Sequence, residues 1–261
     1  MTTDDPMQDP GFVPLLPVGA NHRDTLSLYV DVARPRHDDR PWVLANFVAG
    51  LDGSIALHGR VGALTSRTDQ LVFQLLRELA DVVLVGAGTV RAERYGPVVL
   101  GEAARRRRAD RGQSPVPPVA VVTHSLDLPS GLFAAQGPRP LVVTVDQADA
   151  DARRRLAEVA DVIVAGDEVL DPARVLSSLA DRGARLVTCE GGPALITELI
   201  GAELLDELCL TMTPLVGGDP LRLVADQPRL PLTRWSLAHA IAAGQDELFL
   251  RYIAPRAQET P

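Results

Sequence analysis

The chain has 261 residues, 46% of them hydrophobic and 23% charged, with 26 basic and 34 acidic side chains giving a formal charge of −8. That apolar share excludes a mainly disordered chain, which could not repay the entropy of ordering, and the scattered 21 Gly and 21 Pro exclude a collagen-like array. The acidic balance argues against a general nucleic-acid binder, and the length is long for one domain but short for two, with no linker between 41 and 254 to divide it.

Residues 1–40 mix Pro, Asp and Arg around one apolar patch, LSLYV at 26–30, and predict a lead-in arm with one small helix packed on the body. The body begins at Trp42, where WVLANFVAG (42–50) has the unbroken apolar character of a buried strand. Asp52-Gly53 marks a turn. Ser66 and Asp69 form an S-x-x-D capping box, after which Leu71, Val72, Leu75, Leu76 and Leu79 fall on one helical face. DVVLVG (81–86) is the next strand and runs into GAGTV. Residues 101–117, with RRRR at 105–108 and then DRGQSPVPP, read as a polar, solvated loop. Strands follow at 119–123 and 140–145, then a helix at 147–160, a strand DVIVAG, a helix at 171–182 and a strand at 184–189. Glu190-Gly191-Gly192-Pro193 opens another helix, with Pro193 where a first turn tolerates it. LLDELCLTM (204–212), a loop TPLVGGDP and two closing strands near 233–240 and 247–254 complete the body.

Short apolar strands alternating with amphipathic helices predict an α/β domain over 41–254, between the arm and a tail at 255–261. Its sheet is expected to be mainly parallel, with flanking helices and antiparallel C-terminal strands.

All 26 basic residues are arginine. Lysine Schiff-base chemistry, a Walker phosphate loop and a kinase strand lysine are therefore excluded. Cys189 and Cys209 lie in apolar runs, which suits small buried strand residues rather than a disulfide framework or an activated thiol. The five histidines are far apart and no Cys/His pair has ligand spacing, so no metal site is expected. Zinc-deaminase and G-x-S-x-G signatures are missing. The opening MTTDDPMQDP lacks the basic start and apolar stretch of a signal peptide, and no apolar run reaches the length of a bilayer span. A cytoplasmic protein with neither membrane nor nucleic-acid partners is the expectation.

What remains are two glycine turns at strand ends, GAGTVR (86–91) and EGGP (190–193). Ligands of open α/β sheets sit at the carboxyl ends of strands. Glycines there let backbone N–H groups approach phosphate, and a helix N-terminus adds partial positive charge. GAGTVR is not a dinucleotide fingerprint of the Rossmann kind, because Arg91 stands where the third glycine is needed.

Four blocks occur in register: N-F-V-A-G-L-D-G at 46–53, L-R-E-L-A-D-V-V-L-V-G-A-G-T-V at 76–90, E-G-G-P at 190–193, and L-L-D-E-L with T-P-L-V-G-G at 204–208 and 213–218. Through them the chain resembles the pyrimidine reductase of riboflavin biosynthesis, the C-terminal half of the bifunctional deaminase–reductase, and most of all its stand-alone actinobacterial members. The resemblance implies a dihydrofolate-reductase-like fold, a homodimer, and NADPH-dependent reduction of 5-amino-6-(5-phosphoribosylamino)uracil. It implies that Gly86, Ala87, Gly88 and Thr89 cradle the cofactor together with Gly191, Gly192, Pro193 and Ala194, and that Thr65 and Asp69 touch it. Glu190 would lie between cofactor and substrate, with Asn46 as its catalytic companion. Arg77 would meet the substrate phosphate, and Asp52 and Glu93 would add substrate contacts. Helix capping by Thr65 and Asp69, and turn formation by Asp52, are the competing roles. His124 and Ser125 are candidates for a cofactor 2′-phosphate. R-A-E-R-Y-G at 91–96 departs from the family's A-D-N-P, which leaves open a paralogue reducing another pterin or pyrimidine, such as dihydrofolate. A nucleotide-binding module without catalysis is the third reading.

Overall fold

An unbroken apolar run has no wet face, and Trp42–Ala49 (β2) is buried at every position. The computed structural model describes residues 13–16, 26–134, 137–226, 229–243 and 246–255. In it β2 pairs in parallel with Leu186–Cys189 (β7) on one side and Glu207–Met212 (β8) on the other. Beyond β7 the parallel run continues through Val82–Gly86 (β3), Val119–Val122 (β4), Leu141–Thr144 (β5) and Asp161–Val164 (β6). Beyond β8 the sheet turns antiparallel, with Glu247–Ile253 (β10), Ser236–Ala243 (β9) and Val13–Leu16 (β1). The order is β1-β9-β10-β8-β2-β7-β3-β4-β5-β6. This is the expected α/β arrangement, a mainly parallel sheet with antiparallel C-terminal strands.

Alternation along the strands assigns the helices to faces. Val43, Ala45, Val82 and Leu84 pack with Pro172–Ala180 (α6) and Pro193–Gly201 (α7), through Leu176, Leu179, Ile196 and Leu199. Leu44, Cys209 and Phe249 share the other cluster with Val72, Leu76 and Leu79 of Arg67–Leu79 (α2). Three further helices are Ala87–Ala92 (α3), Glu102–Asp110 (α4) and Ala150–Ala157 (α5).

The arm carries Ser27–Val30 (α1), as expected, and Tyr29 is buried. Besides the buried Tyr29 and the β1–β9 pairing, charge fastens the arm. Arg34 forks onto Glu207 at 2.9 and 3.0 Å, and Arg40 forks onto Asp206 at 2.6 and 2.7 Å. Glu207 is fully buried and also accepts from Trp42 Nε1 at 3.0 Å and Arg251 Nε at 2.7 Å. Burial opposes its ionisation, but Arg34 and Arg251 outweigh that and hold the carboxyl down at about 2.

Two sequence expectations need correction. Residues 101–117 are not simply a solvated loop, since 102–110 form α4 and Arg108 is fully buried. Arg108 Nη1 donates to the carbonyls of Glu78 and Ala80 at 2.7 and 2.6 Å, and its Nε to Ser114 at 2.7 Å. Arg107 meanwhile forks onto the Glu78 carboxylate. Carbonyls at a helix C-terminus lack intrahelical donors, and an arginine supplies them. Second, the capping box is only half made. Ser66 Oγ accepts from Asp69 N at 3.0 Å, but the Asp69 carboxylate turns instead toward Thr211.

Candidate functional site

The parallel strands β2, β3, β4 and β7 end on the same edge of the sheet, and a cleft of about 1130 Å³ opens there. Two of these strand ends touch. Gly86 N, at the end of β3, donates to the carbonyl of Gly191, just after β7, at 3.0 Å. Backbone conformation rather than crowding calls for glycine in the second turn. Gly191 and Gly192 hold φ of 134° and 97°, and a Cβ on Gly192 would lie 3.5 Å from the Gly86 Cα. A Cβ on Gly191 would meet Thr89 at 3.4 Å, whereas one on Gly88 would meet nothing within 4 Å. Gly192 caps α7 and Pro193 takes its first position, where a missing N–H costs nothing.

All of the first turn, Gly86 to Thr89, and all of the second, Glu190 to Ala194, line the cleft. Asn46 lines it from β2, and Thr65 and Asp69 from the start of α2. Arg77 and Glu93 are also on its wall, as are His124 and Ser125 after β4. Asp52 is the exception among the residues singled out. It lies outside the lining and accepts N–H groups from Ser54 at 3.1 Å, Gly217 at 3.1 Å and Gly218 at 2.6 Å. Those donors, Gly218 foremost, lower its carboxyl to about 2. It shapes the turn between β2 and the 213–219 loop. Glu93 accepts from Val61 N at 2.9 Å, tying its loop to the short helical turn Val61–Ala63.

A tight ion pair lies on the cleft wall. Arg77 forks onto Glu190 through Nε and Nη2, both at 2.6 Å. The guanidinium lies 4.0 Å from the Phe73 ring centroid and 5.6 Å from that of Tyr95. Burial works against the Arg77 charge, but Glu190 overrides it and raises the arginine above its ordinary value. Asp69 is the opposite case. It is 5% exposed, and among the described residues its Oδ1 has no hydrogen-bond partner. Burial, reinforced by Glu247 and opposed by Thr211, pushes its carboxyl up to about 6.

Tyr95 was not legible as a site residue. Its hydroxyl donates to Glu190 Oε2 at 3.0 Å, across the sheet edge from a residue far along the chain. An aromatic before Gly96 gives no local sign of such a partner. No group of three His, Cys, Asp or Glu side chains among the described residues is arranged to hold a metal ion.

The model of the RibD C-terminal domain matches residues 41–249. This chain belongs to the RibD C-terminal domain family. It is 32% identical over 190 residues to the 2,5-diamino-6-ribosylamino-4(3H)-pyrimidinone 5′-phosphate reductase of Archaeoglobus fulgidus, covering 72% of this chain and 87% of that one. The reductase of the same name from Aquifex aeolicus is 27% identical over 188 residues, covering 69% and 80%. A solved pyrimidine reductase-like protein of Corynebacterium diphtheriae superposes with a TM-score of 0.75 at 27% identity, covering 83% of this chain and 92% of that one. Pyrimidine reductases of this family are oxidoreductases, and the parallel sheet with its antiparallel C-terminal strands is the fold they share. No described helix is long and apolar enough to cross a membrane.

Proposed function

We propose that the protein is an NADPH-dependent reductase that converts the ribosyl group of a ribosylaminopyrimidine 5′-phosphate to ribityl. The observation that carries this reading is the junction of the two glycine turns, Gly86 to Gly191, in the lining of a cleft in a chain of this family. Features of the cleft support a dinucleotide there. Open space over Gly88, positive φ at Gly191 and Gly192, and an unpartnered Asp69 Oδ1 are what a tightly held phosphate-rich ligand with hydrogen-bonding rings uses. Residues 86–89 and 191–194 would hold the diphosphate, with Thr65 and Asp69 beside them and His124 and Ser125 toward the 2′-phosphate. When bound, NADPH would supply a hydride to the ribosyl carbon, whose bond to the ring oxygen opens to give an imine, and protons from solution would complete the balance.

The chain's own contribution is placement. Glu190 belongs to both halves of the pocket: its backbone is part of the cofactor turn, and its carboxylate grips Arg77. Arg77 is the cation for the substrate phosphate, by charge-assisted hydrogen bonds. Asn46 and Glu93 line the same wall. Asp52 is committed to its turn and has no part in this assignment.

The pyrimidine is 5-amino-6-(5-phosphoribosylamino)uracil in our reading. The 2,5-diamino pyrimidinone form is the second candidate, because the two relatives with the coverage just given are named for it. Homodimeric assembly in the cytoplasm completes the proposal. Absorbance at 340 nm, followed with NADPH and each pyrimidine in turn, tests it. Oxidation with one of the pyrimidines supports the reading, and oxidation with dihydrofolate alone contradicts it.

A further inference from the structure

The segment 91–96 lines the cleft and contributes a side chain to the Arg77–Glu190 ion pair. Arg94 holds φ of 52°, a left-handed conformation that is uncommon outside glycine. The next residue, Tyr95, packs its ring on the cluster that contains Val90 and Val98. Its N–H donates to the Val90 carbonyl at 3.0 Å. Ring and backbone are thus fixed, and the hydroxyl arrives at Glu190 Oε2 at 3.0 Å, with the Arg77 guanidinium 5.6 Å from the ring centroid.

The three groups divide their exposure unequally. The Glu190 side chain is 0% exposed and both its oxygens are occupied, whereas Arg77 keeps 14% and lines the cleft. The guanidinium has five N–H donors, and the Nε and Nη2 bonds to Glu190 use two. A cation stacked on Phe73 on one side and flanked by Tyr95 has lost most of its rotamer freedom before any ligand arrives. We propose that Tyr95 is a positioning residue for Arg77, its hydroxyl and the Glu190 carboxylate together presenting the guanidinium to the cleft as the anchor for the phosphate ester of the substrate. This rests on the proposed function both for the pyrimidine and for Arg77 as its phosphate anchor.

Tyr95→Phe keeps the ring and removes the hydroxyl, so the packing around Val90 and Val98 survives. With the phosphorylated pyrimidine and NADPH, the KM for the pyrimidine rises about tenfold, while kcat stays within about twofold and the KM for NADPH is unchanged. In an Arg77→Met background the same substitution adds nothing, because its effect passes through the guanidinium. Calorimetric titration with ribose 5-phosphate shows the same loss of affinity without requiring turnover. An unchanged KM and unchanged ribose 5-phosphate affinity in Tyr95→Phe overturn the proposal. So does an equal effect in the Arg77→Met background, or no binding of ribose 5-phosphate by the unsubstituted protein. Failure of the unsubstituted protein to oxidise NADPH with either pyrimidine contradicts the proposed function instead, and the ribose 5-phosphate titration still judges Tyr95.

Discussion

The backbone N–H of Gly86 and the carbonyl of Gly191 meet at 3.0 Å, which makes one binding edge from turns that follow two different strands. Gly191 sustains it with φ of 134°, where a side chain costs about 1–3 kcal/mol of strain. Gly191→Ala is expected to weaken NADPH binding by at least about tenfold, more than it disturbs the fold. Calorimetry for the cofactor and a thermal melt for the fold separate the two effects.

Arg108 is a structural residue in this account. Removing it by Arg108→Met leaves the Ala80 carbonyl without its buried donor at the end of α2, while the Glu78 carbonyl keeps Arg111 Nη2 at 3.0 Å. A loss of about 2–4 kcal/mol of unfolding free energy is expected in urea titrations. The cofactor affinity of the protein that remains folded should be unchanged.

Asp69 gives a pH dependence with a definite sign. Its carboxyl is pushed up to about 6 in the fold, against about 3.9 in an unfolded chain, so the folded state keeps the proton longer. The stability this contributes is complete below about pH 4, is lost as pH rises through about 6, and is flat above. Asp69→Asn removes that slope. The stability of the variant relative to the original protein should grow by up to about 3 kcal/mol between pH 4 and pH 7. Urea midpoints at both ends of the range measure it.

The arm is pinned by Glu207, and Glu207→Gln leaves Arg34 and Arg251 facing a neutral group in a buried site. Loss of about 3–5 kcal/mol is expected. Limited trypsin digestion should then cut at the exposed Arg36 well before the body is degraded.

Local chemistry made much of this legible from sequence. The unbroken 42–50 run has to be a buried strand, and glycines placed directly after the strands at 81–86 and 184–189 mark close backbone approach. The missed features depend on partners distant in the chain. A run of four arginines looks the same whether it is solvated or whether its last member turns inward to cap α2, and only the fold brings Glu78 and Ala80 to Arg108. Tyr95 belongs to the site because β7 delivers Glu190 beside it. The edge strand Val13–Leu16 exists because β9 offers it a partner, which the composition of the arm does not encode. Asp69 reads as a cap by spacing, yet its carboxylate faces Thr211 and the cleft, and only the Ser66 half of the box is made.

Whether residues 86–89 and 191–194 bind a single dinucleotide is decided by titrating the purified, unsubstituted protein with NADPH in a calorimeter. The account requires saturable heat with one cofactor per chain, a signal that Gly191→Ala strongly diminishes. A flat titration with the folded protein, or full-strength binding by the alanine variant, would contradict it.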